Sequence, residues 1–103
     1  MKLTWCHAAS RSLLDAARNV LEEETRGRVT LKYGPFESTH SARGVIDEEV
    51  EELHLAVHAN DLVAIRKEAV HVAAMALRLV AQCAMTCQDP KEKADADGAG
   101  AVS

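Results

Sequence analysis

The chain has 103 residues and a formal net charge of −4, with 48% hydrophobic residues but only 3% aromatic ones. A chain of this length forms one domain with a modest core. Because alanine, leucine and valine supply most of the apolar volume, the composition favours an all-α fold. The mild negative charge and the clustering of the acids argue against a nucleic acid as a partner.

The cysteines and the N-terminal residues bear on the cellular compartment. The chain has three cysteines, Cys6, Cys83 and Cys87. An odd number argues against a closed set of disulfides and favours a reducing cytoplasm. We expect no signal peptide, because charged residues interrupt the N-terminal apolar positions. We also expect no membrane span, because no stretch approaches the roughly 20 consecutive apolar residues that a span requires.

A first amphipathic helix is predicted from about Ser10 to Glu24. Its apolar residues recur at steps of three and four, Ser10 is a candidate N-cap, and Gly27 is a candidate stop. The following segment, 28–40, shows no helical period and contains a Gly-Pro pair, so we predict an extended loop there.

Two further helices are predicted to form an antiparallel hairpin. The second helix runs from about Ser41 to His58, and the third runs to about Thr86 with Asp61 as its N-cap. The third helix is apolar nearly all round, which is typical of a helix buried on more than one side. We therefore expect a dimer or larger bundle that shares it. Residues 1–87 would form the helical domain, and the charged, Gly/Ala-rich residues 88–103 a disordered tail.

Five carboxylates occupy six consecutive positions on the second helix, within the stretch VIDEEVEEL at 45–53. On a helical wheel of about 100° per residue, Glu49 falls inside the apolar arc and Glu52 lies at its edge. Asp47 and Glu51 point toward water, which is usual for an acidic run. Glu49 is different, because a carboxylate among aliphatic neighbours must be protonated, paired or bound to a cation.

Two pairs of residues, each one turn apart, are predicted to face each other across the hairpin: Glu49/Glu52 and Glu68/His71. Helical bundles build metal sites from such facing pairs. We predict that these four residues are metal ligands for Mg²⁺, with Mn²⁺ as an alternative because one ligand is an imidazole. Two simpler interpretations stay open: a structural role for His71, and a buried ion pair between Glu49 and one of the arginines 43, 66 and 78.

The order of these residues resembles a known signature. Glu48-Glu49-x-x-Glu52, followed by Glu68-x-x-His71, is similar to the EExxE…ExxD motif of the MazG-type all-α nucleoside triphosphate pyrophosphohydrolases. The similarity is greatest to the small MazG-like proteins that phages and mobile elements often carry, in which a Ser-x-His segment precedes the first motif, as at 38–40. A weaker match is Lys-Tyr-Gly at 32–34. The resemblance covers residues 38–80, under half of the chain.

The resemblance implies a helical bundle that forms a homodimer or homotetramer. It also implies Mg²⁺-dependent hydrolysis of a nucleoside or deoxynucleoside triphosphate to the monophosphate and pyrophosphate. Glu49, Glu52 and Glu68 match metal ligands, and Glu48 and Glu49 match the catalytic acids. His71 stands where the family has aspartate. A neutral imidazole still binds a metal through nitrogen, but it removes one negative charge and favours a softer ion.

The same resemblance suggests where a substrate would bind. Lys32, Arg43 and Arg66 are candidates to contact the phosphates, and Tyr33 or Phe36 to stack on the base, with a surface or packing role as the competing interpretation of each. A competing hypothesis for the whole chain is a helical interaction module that kept the bundle and lost the chemistry.

Overall fold

The computed structural model describes residues 2–5, 9–30 and 34–86. These residues form three α-helices, α1 (Ala9–Thr25), α2 (Thr39–Ala59) and α3 (Leu62–Met85), and one π-helical segment, Arg26–Thr30, that continues α1. α3 packs against both α2 and α1. The prediction of an all-α chain is confirmed for the part that the structure describes. The predicted tail, 88–103, lies outside it.

The end of α1 differs from the prediction. Ser10 lies within the helix, because α1 already begins at Ala9, and Gly27 does not stop the helix. Two ion pairs join α1 to the π-helical segment, with Arg26 Nη2 2.8 Å from Glu23 Oε1 and Arg28 Nε 2.9 Å from Glu24 Oε1. These side-chain contacts hold the segment in a helical conformation where a loop was expected.

The α2–α3 hairpin has well-defined caps. α2 begins at Thr39, two residues before the predicted Ser41, because Ser38 is its N-cap: the Ser38 hydroxyl accepts a hydrogen bond from the Ser41 backbone N–H at 3.0 Å. Asn60 ends α2 in the left-handed conformation with φ of 56°. The Asp61 carboxylate accepts hydrogen bonds from the N–H groups of Val63 and Ala64. The prediction that Asp61 caps α3 is therefore confirmed.

Small side chains line the contact between the helices. Ala42 and Ala74 have no exposed surface, and Ala56 is 7% exposed. Short side chains let helix backbones approach closely, but they bury little apolar area. As a result, many large apolar side chains of the described residues stay exposed in the single chain, among them Leu13, Leu14, Leu21, Val63, Leu77 and Val80.

α3 is apolar but largely uncovered. By length and composition alone it could cross a membrane, although the core helix of a soluble protein passes the same test. Along α3, Ala69 and Ala76 are exposed, whereas Ala74 and Arg78 are buried. The side of α3 that faces its neighbours therefore runs through Glu68, His71, Ala74, Met75 and Arg78.

Candidate metal centre

The four predicted ligands converge. One ligand atom from each of Glu49, Glu52, Glu68 and His71 can be chosen so that all four lie within 4.8 Å of one another. The helical repeat explains the convergence, since residues three apart lie on the same side of a helix. Each helix of the hairpin thus contributes one pair, in which Glu52 is exposed and the other three residues are partly buried.

Two of the carboxylate oxygens are in an unusual environment. Glu49 Oε2 and Glu68 Oε2 are buried, and neither accepts a hydrogen bond from any residue that the structure describes. His71 Nδ1 lies 3.7 Å from Glu49 Oε2 and 3.3 Å from Glu68 Oε2. A buried oxygen without a hydrogen bond is costly, so the arrangement calls for a positive group between these atoms.

The pKa of Glu49 also reflects its burial beside other acids. Burial raises the pKa of this carboxyl above its ordinary value of 4.5, and the nearby charges of Glu52 and Glu68 raise it further. The positive charge of a protonated His71 acts in the opposite direction. The cluster therefore disfavours the ionised form of Glu49 unless a cation compensates its charge.

The spacing of the cluster fits a small divalent ion. An ion with ligands at about 2.1 Å has adjacent ligand atoms about 3 Å apart and opposite ones about 4.2 Å apart. The separations of 3.3 and 3.7 Å from His71 Nδ1 to the carboxylate oxygens lie about 0.3 and 0.7 Å above the value for adjacent ligands, and the 4.8 Å limit lies about 0.6 Å above the value for opposite ones. The four side chains would have to close by this amount to contact one ion.

α1 adds a residue that the sequence did not single out. Glu23 Oε1 lies 3.4 Å from His71 Nε2, on the side of the imidazole away from Glu49 and Glu68. Arg26 binds Glu23 through two hydrogen bonds, at 2.8 and 3.2 Å, and lowers the pKa of this carboxyl. In the sequence, the i, i+3 spacing to Arg26 was the available signal. The neighbours Glu22 and Glu24 gave no way to decide which glutamate faces α3.

A second ion pair lies beside the centre. Glu24 is 6% exposed and Arg78 is 8% exposed, with Arg78 Nε 3.6 Å from Glu24 Oε1. The hydrogen bond from Arg28, and then the charges of both arginines, lower the pKa of Glu24 despite its burial. The Arg78 guanidinium also lies over the Phe36 ring, 5.8 Å from its centroid. This pair joins α1 to α3 and supports one wall of the neighbouring cavity.

A cavity of about 470 Å³ opens beside the metal centre. Glu49 and His71 line one part of it, and Phe36 and Met75 line another. Phe36 is held in place by Gln82, which accepts a hydrogen bond from the Phe36 N–H at 2.9 Å and donates one to its carbonyl at 2.6 Å. The cavity combines an apolar wall with a polar one, as small-molecule sites commonly do.

The other predicted site residues that the structure describes, Glu48, Arg43 and Arg66, are not brought into this cavity. Glu48 is exposed, and Arg43 is exposed with its Nε 3.6 Å from Asp47 Oδ2. Arg66 lines a separate groove of about 470 Å³ that reaches His71 from the α1 side. Residues 32 and 33, the predicted Lys32 and Tyr33, lie outside the described residues. The substrate-binding roles of Lys32, Tyr33, Arg43 and Arg66 therefore stay predictions.

The acids that were expected to face water do so. Asp47 and Glu51 are exposed, as the helical wheel predicted. The basic group that the structure places against Glu49 is His71, a residue that the ion-pair alternative did not consider as its partner.

Comparison with known protein families, curated proteins and solved structures finds no match to this chain. The resemblance to the MazG-type enzymes therefore rests on the motif residues alone.

Proposed function

We propose that this chain is a metal-dependent nucleoside triphosphate pyrophosphohydrolase of the MazG-like type. It would convert an NTP or dNTP to the monophosphate and pyrophosphate. The observation that supports the proposal best is the convergence of Glu49, Glu52, Glu68 and His71 within 4.8 Å. Two of its carboxylate oxygens are buried without a hydrogen bond from the part of the chain that the structure describes, which gives this cluster a need for a cation that an ordinary acidic surface does not have.

Mg²⁺ is the cofactor that three carboxylates favour, and the imidazole makes Mn²⁺ a good alternative. When bound, such an ion neutralises phosphate oxygens and stabilises the charge that develops as the bond between the α- and β-phosphates breaks. Glu49, Glu52, Glu68 and His71 would hold it.

The carboxylates of Glu48 and Glu49 are assigned to the attacking water. One of them accepts a proton as the water oxygen bonds to the α-phosphorus and pyrophosphate leaves. The pKa of Glu49 is raised in the metal-free protein, and a bound cation would lower it again, so the pKa does not by itself support this role. Glu48 is exposed and carries this role on the resemblance alone.

The cavity beside the centre is the proposed nucleoside site. Its apolar wall, with Phe36 and Met75, suits a base, and its opposite wall carries the ligands Glu49 and His71. Arg66 would approach the phosphates from the adjacent groove, together with Lys67. Arg43 is kept as a further candidate for phosphate contact.

A homodimer or homotetramer completes the proposal. The exposed apolar side chains of α1 and α3 form the surface that a second copy would cover, and Leu14 and Val80 are 69% and 68% exposed. Covering by a second copy also accounts for the apolar character of α3 without a membrane. We place the oligomer in the cytoplasm, with a nucleotide and no nucleic acid as its ligand.

An alternative is a non-catalytic interaction module that descends from the same bundle. His71 favours it, because a protonated imidazole between Glu23, Glu49 and Glu68 would itself supply the missing positive charge. In that case the cluster would be a structural ion network, and a metal would add nothing.

The test is release of pyrophosphate from a panel of ribo- and deoxyribonucleoside triphosphates, with Mg²⁺ or Mn²⁺. Glu49→Gln and His71→Asp are assayed beside the parent, and Glu51→Gln serves as the control because Glu51 is exposed on the same helix. Release that is lost in Glu49→Gln and kept in Glu51→Gln supports the enzyme. Pyrophosphate release by His71→Asp alone indicates a hydrolase that has lost its activity through the histidine at position 71. No release by the parent or by any variant favours the interaction module.

A further inference from the structure

His71 stands between acids from all three helices. Its Nδ1 faces Glu68 of α3 and Glu49 of α2, at 3.3 and 3.7 Å. Its Nε2 faces Glu23 of α1 at 3.4 Å. The two ring nitrogens are thus divided between different partners, with the proposed ligand cluster on one side and a single carboxylate on the other.

This division matches what a ligating histidine requires. A neutral imidazole binds a metal through the nitrogen that carries no proton, and its other N–H needs an acceptor. In many metal sites a carboxylate accepts that N–H, which fixes both the tautomer and the direction of the ring. Glu23 is the carboxylate in this position.

We propose that Glu23 is the outer carboxylate of the metal centre. It accepts the Nε2–H of His71 and so keeps the Nδ1 lone pair directed toward Glu49 and Glu68. This role rests on the metal centre of the proposed function. It makes Glu23 a positioning residue, and it extends the site from the hairpin to α1.

Glu23 is itself held in place. Arg26 Nη2 donates to Glu23 Oε1 at 2.8 Å, and Arg26 Nε donates to Glu23 Oε2 at 3.2 Å. A two-point contact of this kind fixes the plane of the carboxylate as well as its position. Arg26 follows Glu23 by three residues, at the start of the π-helical segment. The local conformation after α1 therefore places a restrained acceptor behind His71.

A purely structural ion pair between α1 and α3 is the competing explanation, and metal affinity separates the two. The affinity of the purified 103-residue chain for Mn²⁺ is measured by calorimetry. Loss of an outer partner weakens metal affinity by about 10–100-fold, so we expect a loss of this size in Glu23→Gln. Glu22→Gln is the matched control, because it makes the same change at the adjacent, exposed position, and we expect its affinity to equal that of the parent.

The decisive comparison repeats Glu23→Gln in a His71→Asp background. An aspartate at 71 has no N–H for Glu23 to accept, so the loss caused by Glu23→Gln should disappear there. An equal loss in both backgrounds, or no loss in either, overturns the proposal. If Glu23→Gln does not fold, Glu23→Asp replaces it, since it keeps the charge but withdraws the carboxylate from His71 by one methylene, and the same two outcomes decide.

Glu49→Gln separates this inference from the proposed function. If the parent binds Mn²⁺, and Glu49→Gln loses the ion while Glu23→Gln keeps it, the metal centre stands and the role of Glu23 is refuted. If the parent binds neither Mn²⁺ nor Mg²⁺, both the metal centre and the role of Glu23 are refuted.

Discussion

Replacing Glu49 with glutamine should remove most of the stabilisation that a metal gives to this protein. A ligand present at about 100 times its dissociation constant stabilises a protein by about 2.7 kcal/mol. For a domain of this size, that corresponds to a rise of about 11–22 °C in melting temperature. Glu49 supplies one of the two buried oxygens of the cluster that accept no hydrogen bond from the described residues, so its loss removes a ligand from the least hydrated part of the cluster.

The size of the effect follows from the loss of affinity. Removing a direct ligand should weaken binding at least as much as the roughly 100-fold upper value for an outer partner. The same Mn²⁺ concentration then equals about one dissociation constant, and the stabilisation falls to about 0.4 kcal/mol. The rise in melting temperature should shrink to about 2–3 °C.

Thermal melts followed by circular dichroism measure this change directly. The Mn²⁺ concentration is set from the dissociation constant of the parent, and magnesium is tested in parallel. Glu51→Gln makes the same chemical change on the exposed side of α2 and should keep the full rise. An undiminished rise in Glu49→Gln, or an equal reduction in both variants, would refute the assignment of Glu49 as a ligand.

Three further predictions concern the metal-free protein. Because the pKa of Glu49 is raised, its ionised form opposes folding, and Glu49→Gln should melt at a higher temperature than the parent at pH 7. The difference in melting temperature should vanish below pH 4.5, the ordinary pKa of this carboxyl. A lower melting temperature of Glu49→Gln at pH 7 would contradict this prediction. Glu24→Gln should lose about 3 kcal/mol in urea unfolding, because it weakens the buried contact with Arg78. Since the pKa of Glu24 is lowered, the loss of unfolding free energy in Glu24→Gln should decrease as the pH drops below 4.5. A loss under about 1 kcal/mol at pH 7 would contradict the prediction, because exposed surface ion pairs contribute that little. Asp61→Ala should cost about 1 kcal/mol through the lost cap of α3, and an unchanged unfolding midpoint would contradict that role.

The sequence predicted the hairpin and the ligand pairs because both depend on local spacing. An i, i+3 pair shares one side of a helix wherever the helix packs, so Glu49/Glu52 and Glu68/His71 could be paired in advance. Asp61 could also be identified, since a capping carboxylate acts on its own next turn.

Helix ends were harder to predict where two residues compete for one role. Ser38 and Ser41 are both able to cap α2, and the structure uses Ser38, whose hydroxyl accepts from the Ser41 N–H. Gly27 suggested a stop, but side-chain ion pairs carry the helical conformation past it to Thr30. The side-chain ion pairs outweigh the low helix propensity of Gly27, and the propensities of single residues do not include such contacts.

The contribution of α1 could not be predicted, because it depends on how two helices pack. Three consecutive glutamates, 22–24, have different environments: Glu22 is exposed, Glu23 meets His71, and Glu24 is buried against Arg78. A rotation of α1 by one position would exchange these roles. Its hydrophobic residues did not fix this rotation, since Leu13, Leu14 and Leu21 are exposed in the single chain.

The most direct test of the metal centre is a crystal structure of the protein grown with Mn²⁺, with data collected to show the anomalous scattering of manganese. The proposed centre predicts an anomalous peak between α2 and α3, within about 2.2 Å of ligand atoms from Glu49, Glu52, Glu68 and His71. A peak at another place, or a fully ordered cluster with no peak at a saturating concentration of the ion, would contradict it.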